Sequence, residues 1–374
     1  MRIGIVAESF LPNVNGVSNS ILRILEHIEG THEAIVIAPG AREFQEEIAS
    51  YAGAQIVRVP TIRMPLINSL PIGVPVPAVT HALRSFAPDV IHLASPFVLG
   101  GYASFSARQL GIPAVAVYQT DVAGFATTYH LTPLAVAAWD WTRIIHNQAA
   151  RTLAPSSATI AELQEHGVQR VHRWGRGVDA ELFHPRRRDT TLRAEWLSHR
   201  PGARYVVGFV GRLAAEKGVQ RLQALAHRED VQLVIVGDGP ERAALGAHLP
   251  QAIFTGALSG TALARAYASM DVFVHPGEFE TFCQTIQEAQ ASGVPTIAPR
   301  AGGPIDLITD GYNGYLLDVD GFSNQLEQAV DRCLMHLPTL RDDARRSVEP
   351  RTWAAVVDQL LEHYEQAIHS PARR

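Results

Sequence analysis

Residues 271–291 read DVFVHPGEFETFCQTIQEAQA, and this stretch decides the fold class. Its first part, Asp271 to Pro276, is short and apolar, which predicts a buried strand. The following part, Thr281 to Ala291, predicts a helix that begins just after Glu280. A strand that leads through a proline-glycine turn into a helix is a βα unit, the building block of parallel α/β sheets.

The strand-to-helix junction is also a predicted ligand site. N–H groups in the first turn of a helix have no partner within the helix, so we expect those of Thr281, Phe282 and Cys283 to donate to a ligand. Glu280 lies at the mouth of this site, and Glu288 follows eight positions later on the same helix face. Two such carboxylates suit the vicinal hydroxyls of a sugar or a ribose, at about 1.5–3 kcal/mol for each charge-assisted hydrogen bond. In the alternative interpretation, Glu280 is a helix cap and Glu288 a solvated surface charge.

A second motif follows the predicted strand Tyr205 to Val210. The glycine turn that begins at Gly211 carries two cations, Arg212 and Lys217, and ends at Gly218. Cations at the carboxyl end of a strand face the ligand crevice of a doubly wound sheet, and an Arg fork with a mobile Lys suits a diphosphate. The alternative is that Glu216 pairs locally and the cations are solvated.

Two more glycine turns follow predicted strands of the same half. Val231 to Val236 leads into Gly237, and the segment Ile253 to Leu258 contains Gly256. Glycine at these places would let the backbone approach a flat nucleotide base closely.

Together these motifs resemble the retaining glycosyltransferases of family 4. The resemblance rests on GRLAAEKG at 211–218, VGDG at 236–239, FTGAL at 254–258, HPGEFETF at 275–282 with the second Glu, and AESFLPNVNGVS at 7–18. Within the family the chain is most similar to actinobacterial α-mannosyltransferases that use GDP-mannose and act on acceptors of the phosphatidylinositol mannoside or lipomannan type.

The resemblance implies the GT-B fold, in which two Rossmann-like, doubly wound parallel-sheet domains face a cleft. It implies an acceptor domain at 1–185, a nucleotide-sugar domain at 186–350 and a helix at 351–374 that crosses back to the first domain.

The resemblance also implies roles for single residues. The donor diphosphate would be held by Arg212 and Lys217 next to Gly211, the ribose by Glu288 and the transferred sugar by Glu280. The remaining donor-site positions are the backbone of Thr281, Phe282 and Cys283, the base-flanking Gly237, Gly256 and Leu258, and Gly16 of the first domain. The residues implied in catalysis are Arg212, Lys217, Glu280, Gln119 and Asp121.

One position departs from the family pattern. Many relatives carry His in the setting Tyr-His-Thr-Asp, where this chain has Tyr118-Gln119-Thr120-Asp121. Gln119 cannot change its charge, although its amide can bond a sugar hydroxyl. Asp121 is the remaining candidate for a base, with a turn or cap role as the alternative.

The family's usual mechanism implies a reaction on one face of the sugar, in which the leaving phosphate takes the acceptor's proton. No protein nucleophile, metal or other cofactor is then expected, and the donor substrate would be GDP-mannose. A related use of a UDP-sugar, glucosyl or N-acetylglucosaminyl, remains an alternative.

Composition is that of a globular enzyme: 374 residues, 47% hydrophobic and 18% charged, with a net charge of −5 that does not favour nucleic acid. Two cysteines are too few for a disulfide framework, and no signal peptide precedes Glu8, so we expect a cytoplasmic protein at the inner face of the membrane.

The proline-rich stretch Met64 to Leu83 is predicted to be a loop that rests on a membrane surface or packs on its own domain. The partners expected are thus a nucleotide sugar, a lipid-linked glycan acceptor and a membrane surface.

Two other function classes are alternatives to a transferase. A dinucleotide oxidoreductase is disfavoured because Gly237 to Arg242 lacks the third glycine of G-x-G-x-x-G and because no such motif follows the first strand. A non-catalytic nucleotide-sugar-binding protein is favoured only by Gln119 in place of His, and turnover of the donor would distinguish it.

Overall fold

The chain divides into two compact units. The computed structural model describes residues 1–13, 15–40, 47–62, 72–119 and 132–370. One unit comprises Met1–Pro155, Thr159–Gly175 and the segment from Trp353 on, and the other comprises Ser156–Ala158 and Arg176–Thr352. The boundary between the units therefore falls after Gly175 rather than after residue 185.

The first unit is built on an eight-stranded sheet with the order β10-β9-β8-β7-β1-β2-β4-β3. All its pairs are parallel except β3 with β4, and β5 and β6 form a separate antiparallel pair. The strands are β1 Arg2–Ala7, β2 Glu33–Pro39, β3 Ser50–Tyr51, β4 Ala54–Val59, β5 Thr61–Ile62, β6 Ile72–Gly73, β7 Val90–Ala94, β8 Ala114–Val117, β9 Arg151–Ala154 and β10 Val171–Arg173. The helices between them are α1 Gly16–Ile28, α2 Pro77–Phe86, α3 Leu99–Leu110, α4 Thr132–Gln148 and α5 Ser157–Glu165.

The central strand β1 shows why this sheet is buried on both faces. Ile3 and Ile5 belong to one apolar cluster, whereas Val6 belongs to another, because successive side chains of a strand point to opposite faces. A strand covered on both sides reads as a continuous apolar run rather than as an alternation, and this made β1 recognisable in the sequence.

The predicted loop Met64 to Leu83 is only partly correct. Residues 63–71 lie outside the described part of the chain, but α2 begins at Pro77. Proline is well suited to the first position of a helix because the missing N–H has no partner there anyway. The prediction of a loop is therefore wrong from Pro77 onward.

The second unit contains a six-stranded, fully parallel sheet with the order β13-β12-β11-β14-β15-β16. Its strands are β11 Tyr205–Val210, β12 Val231–Val236, β13 Ile253–Gly256, β14 Val272–Val274, β15 Thr296–Pro299 and β16 Gly314–Leu317. Its helices are α6 Thr190–Ser198, α7 Arg242–His248, α8 Gly260–Ser269, α9 Gln284–Ala291, α10 Pro304–Leu307, α11 Phe322–Met335 and α12 Leu337–Ser347.

The order of the second sheet determines where its ligand site lies. The chain runs from β11 outward to β13 and then returns to the other side of β11 as β14. The strand order thus reverses between β11 and β14, and ligands of open α/β sheets bind at the carboxyl ends of the strands at such a switch point. The loops after β11 and β14 are the two that carry the sequence motifs.

The last helix, α13 Trp353–Ile368, belongs to the first unit. The indole N–H of Trp174 donates to the carbonyl oxygen of Val356 at 2.9 Å, and the hydroxyl of Tyr364 lies 2.8 Å from Nδ1 of His92. No helix within the described ranges is both long enough and apolar enough to cross a membrane.

Candidate functional site in the second unit

The loop between β14 and α9 follows a different path from the one predicted. The helix begins at Gln284, so the prediction of a helix from Thr281 is wrong. Cys283 precedes the helix with φ 72° and ψ 72°, in the left-handed region that an α-helix excludes. The N–H groups of Thr281, Phe282 and Cys283 therefore do not form a helical first turn, and both Phe282 and Cys283 are buried.

A glycine turn elsewhere in the chain explains this path. The N–H of Gly303 donates to the carbonyl oxygen of Glu280 at 2.6 Å. A Cβ atom on Gly303 would lie 2.4 Å from Cα of Phe282, so only glycine allows the two backbones to approach this closely. The contact keeps the segment before α9 out of the helix, which local periodicity could not reveal.

Glu280 is the centre of an ionic network. Its carboxylate contacts the ammonium of Lys217, and one carboxylate oxygen lies 3.1 Å from Nε2 of His275. Burial disfavours the ionised carboxylate, but His275 and Lys217 overcome this effect and lower the pKa of Glu280 to about 2. Glu280 is therefore an ionised group between two basic side chains and not a helix cap.

His275 is held in its charged form by the same network. Burial disfavours the imidazolium, yet Cys283 and Glu280 beside it raise the pKa of His275 to about 9. At neutral pH the loop thus presents one carboxylate between an ammonium and an imidazolium. Such an arrangement can orient hydroxyl groups and balance the charge of an anionic ligand.

The two cations after β11 behave differently. Lys217 ends a 3₁₀ turn, Ala215–Lys217, and reaches across to Glu280 of the next motif. Arg212 has a side chain that is 64% exposed and lies 3.7 Å from Glu216. Arg212 thus pairs locally with Glu216, as in the alternative interpretation. Lys217 instead connects the turn after β11 with the loop after β14 through its contact with Glu280.

Glu288 lies within α9 and is not a solvated charge. Its carboxylate accepts a hydrogen bond from the hydroxyl of Tyr267 at 3.0 Å. Burial raises the pKa of Glu288 to about 7, against the opposing effects of Tyr267 and the nearby Arg176. At neutral pH this carboxyl group is divided between its protonated and ionised forms, so it can both donate to and accept from a hydroxyl.

Arg221 supports the loop after β14. Its guanidinium donates to the carbonyl oxygen of Pro276 at 2.9 Å and to the carboxylate of Glu278 at 3.3 Å. These contacts fix the start of the segment that leads to Glu280.

The glycine turns at the ends of β11, β12 and β13 meet one another. The N–H of Gly211 donates to Val236, and the N–H of Gly237 donates to Gly256 at 2.9 Å. Gly237 has φ 140°, and a Cβ atom there would lie 1.9 Å from the carbonyl oxygen of Gly211. Glycine at 237 therefore allows these turns to pack against one another, whereas a Cβ atom on Gly256 would meet nothing within 4 Å. Leu258 is partly buried against the core nearby.

The first unit contains two predicted site residues that the structure describes, Gly16 and Gln119. Gly16 is the first residue of α1, and the side-chain oxygen of Asn15 accepts from the N–H groups of Val17 and Ser18 at 3.0 Å each. Gln119 lies just beyond β8 and is partly buried. Asp121 lies outside the described residues.

Glu8 is a feature of the first unit that the sequence analysis missed. Its carboxylate accepts from the N–H groups of Phe97 at 2.8 Å and Gly100 at 2.9 Å, at the start of α3. Burial raises the pKa of Glu8, although these backbone donors favour its ionised form. The contact joins positions that are far apart in sequence, and no local pattern pointed to it.

Comparisons with known proteins agree with this geometry. The family model described as "Glycosyltransferase Family 4" matches residues 14–182, and that described as "Glycosyl transferases group 1" matches residues 195–348. A GDP-mannose-dependent alpha-mannosyltransferase of Corynebacterium glutamicum is 60% identical over 378 residues, covering 98% of this chain and 89% of the relative. A Mycobacterium tuberculosis protein named GDP-mannose-dependent alpha-(1-6)-phosphatidylinositol dimannoside mannosyltransferase is 28% identical, covering 96% of this chain and 95% of the relative.

The fold has solved counterparts. Sucrose-phosphate synthase from Thermosynechococcus elongatus superimposes with a TM-score of 0.76 at 20% sequence identity, covering 98% of each chain. This likeness confirms the predicted GT-B fold with its two Rossmann-like parallel-sheet units. The chain is therefore a glycosyltransferase and belongs to family 4.

Proposed function

We propose that this glycosyltransferase transfers a mannosyl unit from GDP-mannose to a lipid-linked mannoside or related glycolipid, with retention of the anomeric configuration. The observation that carries the proposal is the contact of Glu280 with Lys217 at the switch point of the second sheet. It joins the two motifs expected to hold the sugar and the diphosphate. The 60% identity to a GDP-mannose-dependent relative supports the choice of donor.

The proposed donor placement uses the described residues of the second unit. Arg212 and Lys217 would bind the diphosphate, Glu280 the mannosyl hydroxyls and Glu288 the ribose. Because the carboxylate of Glu280 already contacts Lys217, diphosphate and sugar would share one ionic network. The base would lie against the glycine turns beside Gly256, where a Cβ atom would meet nothing within 4 Å.

In the proposed reaction, an acceptor hydroxyl attacks C1 of the mannosyl unit on the face from which GDP departs. The bond between C1 and the diphosphate oxygen breaks, and that oxygen takes the proton of the acceptor hydroxyl. The products are GDP and an α-mannoside. Arg212 and Lys217 would neutralise the negative charge that develops on the leaving diphosphate. Positioning of the substrates and fixed charges can supply most of the rate enhancement of such a step, so the proposed mechanism requires neither a protein nucleophile nor a metal.

Exposed apolar side chains support the proposal of a lipid acceptor. Phe105 on α3 is 44% exposed, and Val136 and Ile144 on α4 are 61% and 43% exposed. The ring of Phe105 stacks on that of Trp141, with 6.2 Å between the centroids. We propose that these exposed side chains of α3 and α4 contact the inner face of the cell membrane, where a cytoplasmic enzyme meets a lipid-linked acceptor. The relative whose name includes phosphatidylinositol dimannoside supports the acceptor class.

The test is transfer from labelled donor. Purified protein is incubated with GDP-mannose labelled in the sugar and with a lipid extract of an actinobacterial membrane, and the lipids are separated and counted. We expect label in lipid, an α-linkage by NMR and transfer that is about 10²-fold or more slower in the Lys217→Ala variant. Label confined to GDP-mannose or free mannose, or transfer from UDP-glucose or UDP-N-acetylglucosamine in preference to GDP-mannose, would contradict the proposal.

A further inference from the structure

Three side chains with different metal-binding atoms meet in the loop between β14 and α9. A ring nitrogen of His275, a carboxylate oxygen of Glu280 and the sulfur of Cys283 all lie within 4.8 Å of one another. We propose that these residues form a binding site for a thiophilic divalent cation, Zn²⁺ or Cd²⁺, and that the bound cation excludes the sugar-nucleotide donor. The second part of this inference rests on the proposed function.

His275 is the observation that points to a ligand. The residue is only 2% exposed, and within the described part of the chain neither ring nitrogen has a hydrogen bond of good geometry. Its contact with Glu280 is an ionic one at 3.1 Å. Buried polar atoms are ordinarily hydrogen-bonded, so a ring nitrogen of His275 is suited to bind a cation once that cation displaces its proton. The ring is also held in place by Phe209, which stacks on it at 6.1 Å between centroids.

The ligand types select the metal. Thiolate and imidazole favour Zn²⁺ and related soft cations, whereas Mg²⁺ requires oxygen ligands. Bond lengths of about 2.0–2.3 Å place neighbouring ligand atoms of a tetrahedral zinc site roughly 3.3–3.7 Å apart. The three atoms, which lie within 4.8 Å of one another, would need to close by at most about 1.5 Å, which rotation of the side chains would have to supply. A water molecule would complete the four-coordinate site.

The local charges are compatible with a divalent cation. The cation would displace a proton from the imidazolium of His275 and one from the thiol of Cys283. The resulting thiolate and the carboxylate of Glu280 would together balance its two positive charges, with the imidazole neutral. Lys217 would have to leave Glu280, and its side chain is 25% exposed, so it can turn toward solvent. The hydroxyl of Thr285 lies 3.4 Å from the sulfur of Cys283 and can orient it as a second-shell partner.

The consequence is mutual exclusion of cation and donor. The cation takes the carboxylate of Glu280 and displaces Lys217, and these are the two groups assigned to the mannosyl unit and the diphosphate. Donor binding would in turn protect the site from the cation.

Titration with Cd²⁺ tests the site without any transferase assay. Binding to a thiolate produces an ultraviolet charge-transfer band, which surface histidines and carboxylates do not give. We expect one Cd²⁺ per chain with this band, no band in Cys283→Ser, and an unchanged band in Cys333→Ser, the matched control for the other buried free cysteine. Glu280→Gln should keep the band but bind Cd²⁺ at least about tenfold more weakly, and an excess of Mg²⁺ should not compete.

Several results would overturn the inference. They are the absence of a band in the wild-type protein, a band that persists in Cys283→Ser or disappears in Cys333→Ser, and an unchanged affinity in Glu280→Gln. Circular dichroism of each variant shows whether it is folded. If Cys283→Ser does not fold, the presence or absence of the band in the wild-type protein decides whether the site exists.

Overlap with the donor is tested by adding GDP-mannose, which should weaken Cd²⁺ binding. Undiminished Cd²⁺ binding would refute the overlap, while calorimetry of GDP without any metal tests the donor assignment by itself.

Discussion

Replacement of Glu288 by Gln should make the protein more stable at alkaline pH, although the residue is assigned to the ligand site. Burial holds the pKa of Glu288 at about 7, above the ordinary value of 4.5. A carboxyl group whose pKa is raised by folding favours the native state most below its unfolded pKa and loses that contribution as the pH rises through the folded pKa. Glutamine cannot ionise, and its side-chain oxygen can still accept the hydrogen bond from Tyr267.

The size of the effect follows from these two pKa values. Each unit of difference corresponds to about 1.4 kcal/mol. Between about pH 5 and about pH 8 the wild-type protein should therefore lose roughly 2–3 kcal/mol relative to Glu288→Gln. The loss should occur mainly between about pH 5 and pH 7 and level off above that range.

Urea unfolding followed by circular dichroism at several pH values measures this difference. Glu229→Gln, which changes an exposed carboxylate of the same unit, is the matched control and should remain parallel to the wild-type protein at every pH. A stability difference between wild type and Glu288→Gln that does not change between about pH 5 and pH 8 would refute the reasoning about burial.

Three further predictions concern the neighbouring residues. Arg212→Ala and Lys217→Ala should each lower kcat by about 10²-fold or more, since they remove charge stabilisation of the leaving diphosphate, and near-normal transfer would remove that assignment. Arg221→Ala should raise KM for the donor more than it lowers kcat, because the loop after β14 loses its two contacts with this side chain. Steady-state kinetics measure both constants. A rise in KM and a fall in kcat by the same factor would contradict this positioning role. Gly237→Ala should yield destabilised or insoluble protein, because its Cβ would lie 1.9 Å from a carbonyl oxygen of Gly211, and a wild-type melting temperature would show that the turn can shift.

Much of the fold could be predicted from local patterns. The strands Tyr205–Val210 and Val231–Val236 have the predicted bounds because fully buried parallel strands are uninterrupted apolar runs that end at glycine turns. The glycine turns at the carboxyl ends of these strands carry the sequence motifs. The apolar runs that predicted the strands therefore also predicted where on the second sheet the candidate site lies. That the C-terminal helix belongs to the first unit was predicted from the family resemblance and not from a local pattern.

The contacts within the site could not be predicted in this way. Lys217 and Glu280 meet through the strand order, in which β11 lies beside β14, and nothing near either residue encodes that pairing. The start of α9 was misplaced because Gly303, in a later turn, holds the backbone of Glu280. Tyr267 lies on α8 with no distinguishing spacing, so its hydrogen bond to Glu288 became visible only in three dimensions.

Titration calorimetry of the protein with GDP, UDP and ADP, repeated with Glu288→Ala, tests directly whether this site binds the nucleotide. We expect selective binding of GDP that weakens by about tenfold or more in the variant, because the hydrogen bonds between a carboxylate and the ribose are lost. Preference for UDP would move the donor to a UDP-sugar. Equal GDP affinity in wild type and Glu288→Ala would contradict the assignment of this site to the nucleotide.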